Sequence, residues 1–263
     1  MDRHGRRRVR EIDPRLTIID RRLLNIKKLI AVSGGKGGIG KSSIASSLAL
    51  ILSQLDYQVG LLDLDFWGPS THTILGIREI YPKEERGIIP PKIYGIKFMS
   101  IIYFAGDNPS PLRGMDISNA LIELFTVTQW GCLDFLIIDM PPGIGDATLD
   151  TIRLLKKLEF LIITTPSKVV LETVKKVLKM LKELQIPIIG VIENMRPAGN
   201  STVKEQMDIL NVPFLGKINF DLSFEESIGD VEKLLKTNFT QDLKEIVLNS
   251  REKGRVYKFT NFE

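Results

Sequence analysis

Thiols are almost absent from this chain: Cys132 is the only cysteine among 263 residues, so an intrachain disulfide is excluded. Histidine is nearly as scarce, with His4 and His72 alone, at no spacing that suggests a metal site. No apolar run has the length of a membrane span or the form of a signal peptide, and neither a repeat nor a low-complexity segment occurs. These absences lead us to expect a cytoplasmic protein.

An excess of charge is also missing from the body of the chain. The formal net charge is +4, but residues 1–28 carry ten Lys/Arg against four acids, which leaves the remainder slightly negative. We therefore divide the chain into a basic N-terminal arm (1–28), one domain (29–250) and a C-terminal tail (251–263). The arm, with "RHGRRRVR", offers a contact to nucleic acid or an acidic partner, although short terminal charge runs are more often simply solvated, so nucleic acid is not favoured.

What is present is a regular alternation. Short apolar runs at 29–32, 58–65, 96–102, 134–140, 160–166, 186–194 and 212–218 lack polar alternation, as strands buried on both faces do. Between them, "KSSIASSLALILSQL", "DISNALIELFTVTQW" and "SKVVLETVKKVLKMLKEL" place apolar residues three and four apart, the helical spacing. The pattern predicts a three-layer α/β/α fold around a mostly parallel sheet. The stretch from Gly76 to Gly95, rich in Gly and Pro, reads as an excursion off the sheet edge.

The strand at 29–32 runs into "GGKGGIGKSS" and then a helix, so Gly35, Gly40, Lys41 and Ser42 satisfy the GxxxxGK[ST] phosphate-loop pattern in the required context. Glycines allow successive N–H groups to turn toward phosphate oxygens, and the helix N-terminus adds partial positive charge. Gly35, Lys36, Gly37, Gly38, Ile39, Gly40, Lys41, Ser42 and Ser43 are accordingly the expected phosphate contacts for ATP or ADP. Lys41 would bridge the β- and γ-phosphates, and the Ser42 hydroxyl would complete the coordination of Mg²⁺.

Such a site needs carboxylates at neighbouring strand ends. "FLIIDMPPG" supplies Asp139 after four apolar residues, the Walker B arrangement, as a metal-side ligand. "LLDLDFWGPS" supplies Asp63 and Asp65, which in an extended strand point the same way. We expect Asp65 to orient the attacking water and Asp63 to support the metal side of the site. Lys36, a second lysine in the loop, is not explained by phosphate binding alone.

Taken together, these segments resemble the MinD/ParA group of ATPases with a deviant Walker A motif. Within that group, "DLDFWGPSTHTILG", "PLRGMDISNALIELF", "WGCLDFLIIDMPPGIGDATL" and "IIGVIENM" are similar to the Mrp/ApbC type of ATP-binding iron-sulfur cluster carrier. The resemblance extends from about Leu29 to about Gly216. It implies an ATP-dependent nucleotide-sandwich homodimer, in which Lys41 serves its own subunit and Lys36 the partner's phosphates, both acting in hydrolysis to ADP. It also suggests Asn194 of "IENM" as a contact to adenine, an amide being able to offer both a donor and an acceptor; a turn bond finishing the strand is the other reading. Arg113 in "LRG" would face either phosphate or a surface ion pair.

One departure stands out. The cluster carriers have a CPxC pair a few residues beyond "ENM", whereas residues 195–216 here contain no cysteine. Two copies of the chain bring two thiolates, and clusters usually require four protein ligands, so a bound iron-sulfur cluster is not expected. Cys132 reads as a small buried or half-buried hydrophobe beside the Asp139 strand. The alternative function is a partition or positioning switch whose ATP dimer binds DNA, membrane or a protein partner; a membrane version would use the C-terminal "DLKEIVLNSREKGRVYKFTNFE" as an amphipathic helix. A small-molecule kinase is disfavoured, because its loop has no use for Lys36. The partner protein is not named by any residue pattern.

Overall fold

The computed structural model describes residues 13–105, 115–197, 199 and 201–252. In chain order the elements are α1 (Pro14–Leu23), β1 (Ile26–Gly34), α2 (Lys41–Gln54), β2 (Val59–Asp63), α3 (Thr71–Ile74), β3 (Lys83–Glu84), β4 (Ile88–Ile89), β5 (Lys92–Ile93), β6 (Ile96–Ser100), α4 (Ile102–Ala105) and α5 (Met115–Val127). They continue with β7 (Leu133–Asp139), α6 (Asp146–Leu154), β8 (Leu158–Thr164), α7 (Lys168–Glu183), β9 (Ile188–Arg196), α8 (Val203–Ile209), β10 (Phe214–Asn219), α9 (Leu222–Glu226), α10 (Val231–Leu234) and α11 (Asn238–Glu252).

The apolar runs pair as one eight-stranded sheet in the order β10-β9-β8-β1-β7-β2-β6-β5. All neighbours are parallel except β5 and β6, which are joined by the two-residue turn Tyr94-Gly95 with positive φ at both positions. The Gly76–Gly95 excursion therefore returns to form the sheet's antiparallel edge, after a small β3–β4 hairpin. Two cores flank the sheet. Ile19, Leu121, Phe125, Leu155, Val174 and Met207 lie on the side of α1, α5, α6, α7 and α8. On the other side, Leu48, Ile51, Ile74, Phe224, Leu234 and Leu243 bring in α2, α3, α9, α10 and α11. The expected three-layer architecture is the observed one.

Two boundaries differ from expectation. The basic arm is shorter than 28 residues, because Leu16, Ile19 and Leu23 are spaced to give α1 an apolar stripe among its arginines. Asp13 caps the helix by accepting from the Arg15 N–H at 2.9 Å, Pro14 starts it, and Ile19, 1% exposed, packs into the core. Two cations of this stretch are engaged by the fold: Arg22 Nε donates to the Thr126 carbonyl at 3.1 Å, and Lys27 pairs with Asp134 at 2.8 Å. The arm's residues 1–12, Arg113 and residues 253–263 of the tail lie outside the described residues. The second difference concerns the run at 58–65, whose strand β2 stops at Asp63. Beyond it, the Leu64 N–H donates to the Asp139 carbonyl at 3.0 Å and the chain leaves the sheet.

If α1 is part of the cooperative unit, Ile19→Ala will cost about 2–4 kcal/mol, the usual range for truncating a buried branched side chain. Leu24→Ala, at a position 70% exposed, will stay within about 0.5 kcal/mol of the parent. Urea unfolding of the two variants checks this, and an Ile19→Ala protein as stable as the parent would count against it.

Candidate functional site

The site lies at the carboxyl ends of the central parallel strands, where the chain leaves β1 between β7 and β8 and the strand order changes direction. The loop after β1 turns through Gly38 and Gly40 at φ 74° and 80°. Its Ile39 is 3% exposed and anchors the loop to the α2 core, while Lys36, Gly37 and Gly38 face outward. At Gly35 a Cβ would come within 2.8 Å of the Thr173 side chain and 2.9 Å of the Val174 N, so glycine there lets the loop lie against α7. Gly40 sits at the N-cap of α2 with no side-chain cap, which leaves the first-turn N–H groups of a fourteen-residue helix without a capping partner from that position.

Lys41 begins α2 and folds back beneath the loop. It is 6% exposed, and its Nζ donates to the Lys36 carbonyl at 3.4 Å. Burial pushes its pKa down, against the pull of the Asp139 and Asp65 carboxylates. Lys36 itself is exposed and forms no ion pair among the described residues. Ser42 and Ser43 follow, both half-buried.

Asp139 ends β7 level with Val32 of β1 and with Asp63 of β2. It is fully buried, and among the described residues no donor meets either carboxylate oxygen with full hydrogen-bond geometry, the Ser42 hydroxyl being the donor beside it. Burial holds its pKa well above the usual carboxylate range and Asp63 adds to this, while the Ser42 hydroxyl and Lys41 ammonium oppose it. A buried carboxylate without a partner is costly unless a cation or donor meets it. Beside a helix-terminal serine, it suits Mg²⁺, which takes one or two protein oxygens and fills its remaining positions with phosphate and water.

Asp63 is arranged differently. One of its oxygens accepts from the Asp65 N–H at 3.0 Å, and the other from the Ser70 N–H, the Thr71 N–H and the Thr71 hydroxyl at 3.1, 3.1 and 2.7 Å. Burial raises its pKa and these donors oppose the rise. Its lone pairs thus hold the loop that follows β2, where the sequence led us to expect support of the metal. Asp65 is half-buried beyond the strand end, so the two carboxylates do not stand side by side on one extended segment; its Oδ1 accepts from the N–H groups of Trp67 and Gly68 at 3.2 and 3.1 Å.

Asn194, 1% exposed near the end of β9, donates from Nδ2 to the Ile39 carbonyl at 2.9 Å, and its Oδ1 is buried without a partner. It also lines a cavity of about 230 Å³ with Ser43, Phe220, Leu222, Phe224 and Phe239. The sequence reading missed these walls, which come from the β10–α9 turn and from α11. Their signal was "NFDLSF", apolar residues in a turn that leave Phe220 and Leu222 61% and 67% exposed.

Cys132 is exposed, not buried or half-buried as expected. It follows Gly131, whose φ of 66° turns the chain before β7, and Trp130 occupies the buried position instead. Seven residues of extended chain separate it from Asp139, roughly 20 Å, so it lies at the opposite end of the strand from the site. Among the described residues no group of three or more His, Cys, Asp or Glu is placed to hold a metal ion.

Comparison with known proteins accords with this geometry. An iron-sulfur cluster carrier protein of Methanocaldococcus jannaschii is 36% identical over 251 residues, covering 87% of this chain and 85% of that one. Another carrier, from Aquifex aeolicus, is 43% identical over 174 residues, or 65% of this chain; the match covers about half (48%) of that longer relative. Among solved structures, a nucleotide-binding protein of Archaeoglobus fulgidus in complex with ADP superposes with a TM-score of 0.71 at 28% identity, covering 83% of this chain and 92% of that one. The septum site-determining protein MinD of Pyrococcus horikoshii, complexed with Mg-ADP, shares the fold at a TM-score of 0.63 and 20% identity, over 86% and 97% of the two chains. The ParA sequence profile described as NUBPL iron-transfer P-loop NTPase matches residues 25–253, and the chain, with its glycine loop, buried Lys41 and strand-end Asp139, belongs to that family.

Proposed function

We propose that this protein is a Mg-ATP hydrolase that acts as a nucleotide-sandwich homodimer and holds no iron-sulfur cluster of its own. The observation that carries the first part is Asp139, a buried carboxylate with no donor in full hydrogen-bond geometry and only the Ser42 hydroxyl and Lys41 beside it, at the start of α2. Ser42 and Asp139 would hold Mg²⁺, Asp139 directly or through water, and the ion when bound neutralises phosphate charge. The first-turn N–H groups of α2 and the loop N–H groups cradle the phosphates. Lys41 gives up its bond to the Lys36 carbonyl and meets the β- and γ-phosphate oxygens. Asp65 orients the water whose oxygen attacks the γ-phosphorus as the bond to the β-phosphate oxygen breaks, and Asp63 positions Asp65 through its backbone N–H. Lys36, directed outward, stabilises charge on the partner's γ-phosphate. Adenine occupies the cavity at Asn194, where the free Oδ1 accepts from the ring's amino group.

The second part rests on a ligand count. Relatives are named as cluster carriers, but the segment 195–216 has no thiol, and Cys132 precedes β7, at the opposite end of that strand from Asp139. Serine, threonine and asparagine do not replace the soft thiolates that hold iron and sulfide. Any cluster this protein serves would be held by a partner, with ATP turnover here timing the contact. A membrane-positioning role gains no support from α11, because Phe239, Leu243, Ile246 and Val247 are buried against the sheet. No helix among the described residues is long and apolar enough to cross a membrane.

Lys41→Ala will abolish Mg-ATP binding or weaken it severely, whereas Lys36→Ala will bind nearly as the parent and lose about 10³-fold or more in single-turnover hydrolysis. Parent-like hydrolysis by Lys36→Ala would remove the cross-subunit role. Asp65→Ala will accumulate as an ATP-bound dimer, visible by light scattering with ATP and Mg²⁺; a variant that binds ATP yet stays monomeric would speak against the sandwich. After anaerobic reconstitution with iron and sulfide, parent and Cys132→Ser will both emerge from gel filtration without stoichiometric iron or acid-labile sulfide. A stable, near-stoichiometric cluster in the parent would restore the carrier function.

A further inference from the structure

We propose that Asn194 is a positioning residue that couples the nucleobase cavity to the phosphate loop, so that occupation of either one favours the other. The proposal rests on the nucleotide-site reading above and adds to it a connection between its two halves.

Asn194 stands on β9, two strands from the β1 strand that carries the loop. Across 155 residues of sequence its Nδ2 donates to the Ile39 carbonyl at 2.9 Å. A carbonyl can only accept, so the orientation of the amide is fixed: Nδ2 faces the loop and Oδ1 is left for the other side. Gly40, the next residue, sits at φ 80°, and a Cβ there would lie 2.3 Å from Nδ2. The backbone at 39–40 is thus shaped around this amide. Among the described residues, the only other side chain that donates to a loop carbonyl is the loop's own Lys41, through the Lys36 carbonyl at 3.4 Å. Lys41 must leave that bond to reach phosphate, and Asn194 then remains, among the described residues, as the side-chain hydrogen bond to a loop carbonyl, beside the apolar anchor of Ile39.

The other end of the same planar group is buried without a partner and belongs to a residue that lines the 230 Å³ cavity. A ring-edge donor bound there would satisfy Oδ1 and fix the amide plane. With the plane fixed, Nδ2 is held toward the Ile39 carbonyl and the loop N–H groups keep the arrangement that receives phosphate. The effect runs equally in reverse, since a loop ordered by phosphate fixes the Ile39 carbonyl and through it the orientation of Oδ1. Coupling between two binding events is reciprocal by thermodynamic necessity.

The two halves of the ligand can be supplied separately, as adenosine and inorganic tripolyphosphate in the presence of Mg²⁺. In the parent, near-saturating adenosine will tighten tripolyphosphate binding about fivefold or more by titration calorimetry, and tripolyphosphate will tighten adenosine by the same factor. Adenosine alone will slow amide hydrogen exchange across residues 36–41. Asn194→Ala will bind tripolyphosphate more weakly even without adenosine, and the coupling factor will fall to about one. Independent binding of the two ligands in the parent, adenosine protection confined to the cavity walls, or an Asn194→Ala protein with parent-like coupling would each overturn the proposal. A parent that binds neither ATP nor tripolyphosphate would overturn the nucleotide-site reading itself, so the two failures are distinct.

Discussion

Lys41 and Asp139 are ionisable groups of opposite sign withdrawn from water at the ends of neighbouring elements, near enough to act on each other electrostatically without forming an ion pair. Asp139 is level with Val32 at the point where β1 is about to release the loop, and level with Asp63 on its other side. Two carboxylates abreast on adjacent buried strands repel, so the arrangement survives only if their charges are handled separately. Asp63 is compensated entirely by the protein, through four donors from residues 65, 70 and 71. Asp139 has only the Ser42 hydroxyl and Lys41 beside it, so under the function proposed above it is the carboxylate kept for an incoming cation. Most features of the site follow from this division. The chain must leave β2 at Asp63 for the donors to reach it, and Asp65 is thereby carried off the strand toward the loop.

The parts of this arrangement that local sequence specifies were legible before the structure. Uninterrupted apolar runs located the inner strands, and the strand-loop-helix pattern placed the glycine loop between β1 and α2 without any tertiary information. Asp139 was legible for the same reason, as the first charge after a buried run. The role of Asp63 was not, because it depends on donors seven and eight residues further on, brought back by a turn that the strand pattern did not reveal. The period-two argument for Asp63 and Asp65 failed at the same place, since it holds only while the chain stays extended.

Helix α1 and Cys132 illustrate a second kind of limit. A stretch with many arginines looks like a solvated arm when charge is counted, yet three apolar residues at helical spacing suffice to dock it once α5 supplies a surface. Cysteine is among the most often buried residues, but a glycine with positive φ immediately before it turned the chain so that Trp130 took the interior position. The cavity at Asn194 was invisible for a simpler reason. Its walls come from β9, the β10–α9 turn and α11, segments that only the folded topology brings together.

Membership in an iron-transfer family and the lack of a thiol pair beyond "ENM" are reconciled if what this chain shares with that family is the nucleotide half. The carboxyl-end face that carries the loop exposes Trp67, Ile144, Val169 and Phe220, each on a segment leaving a different strand. Under the sandwich reading, a second copy closing over the nucleotides would cover apolar groups of this kind, and hydrolysis would uncover them again. Such a cycle needs no cluster to change the shape and stickiness of that face. Under that reading, an ATPase without a thiol pair of its own times when a thiol-bearing partner is held and when it is released.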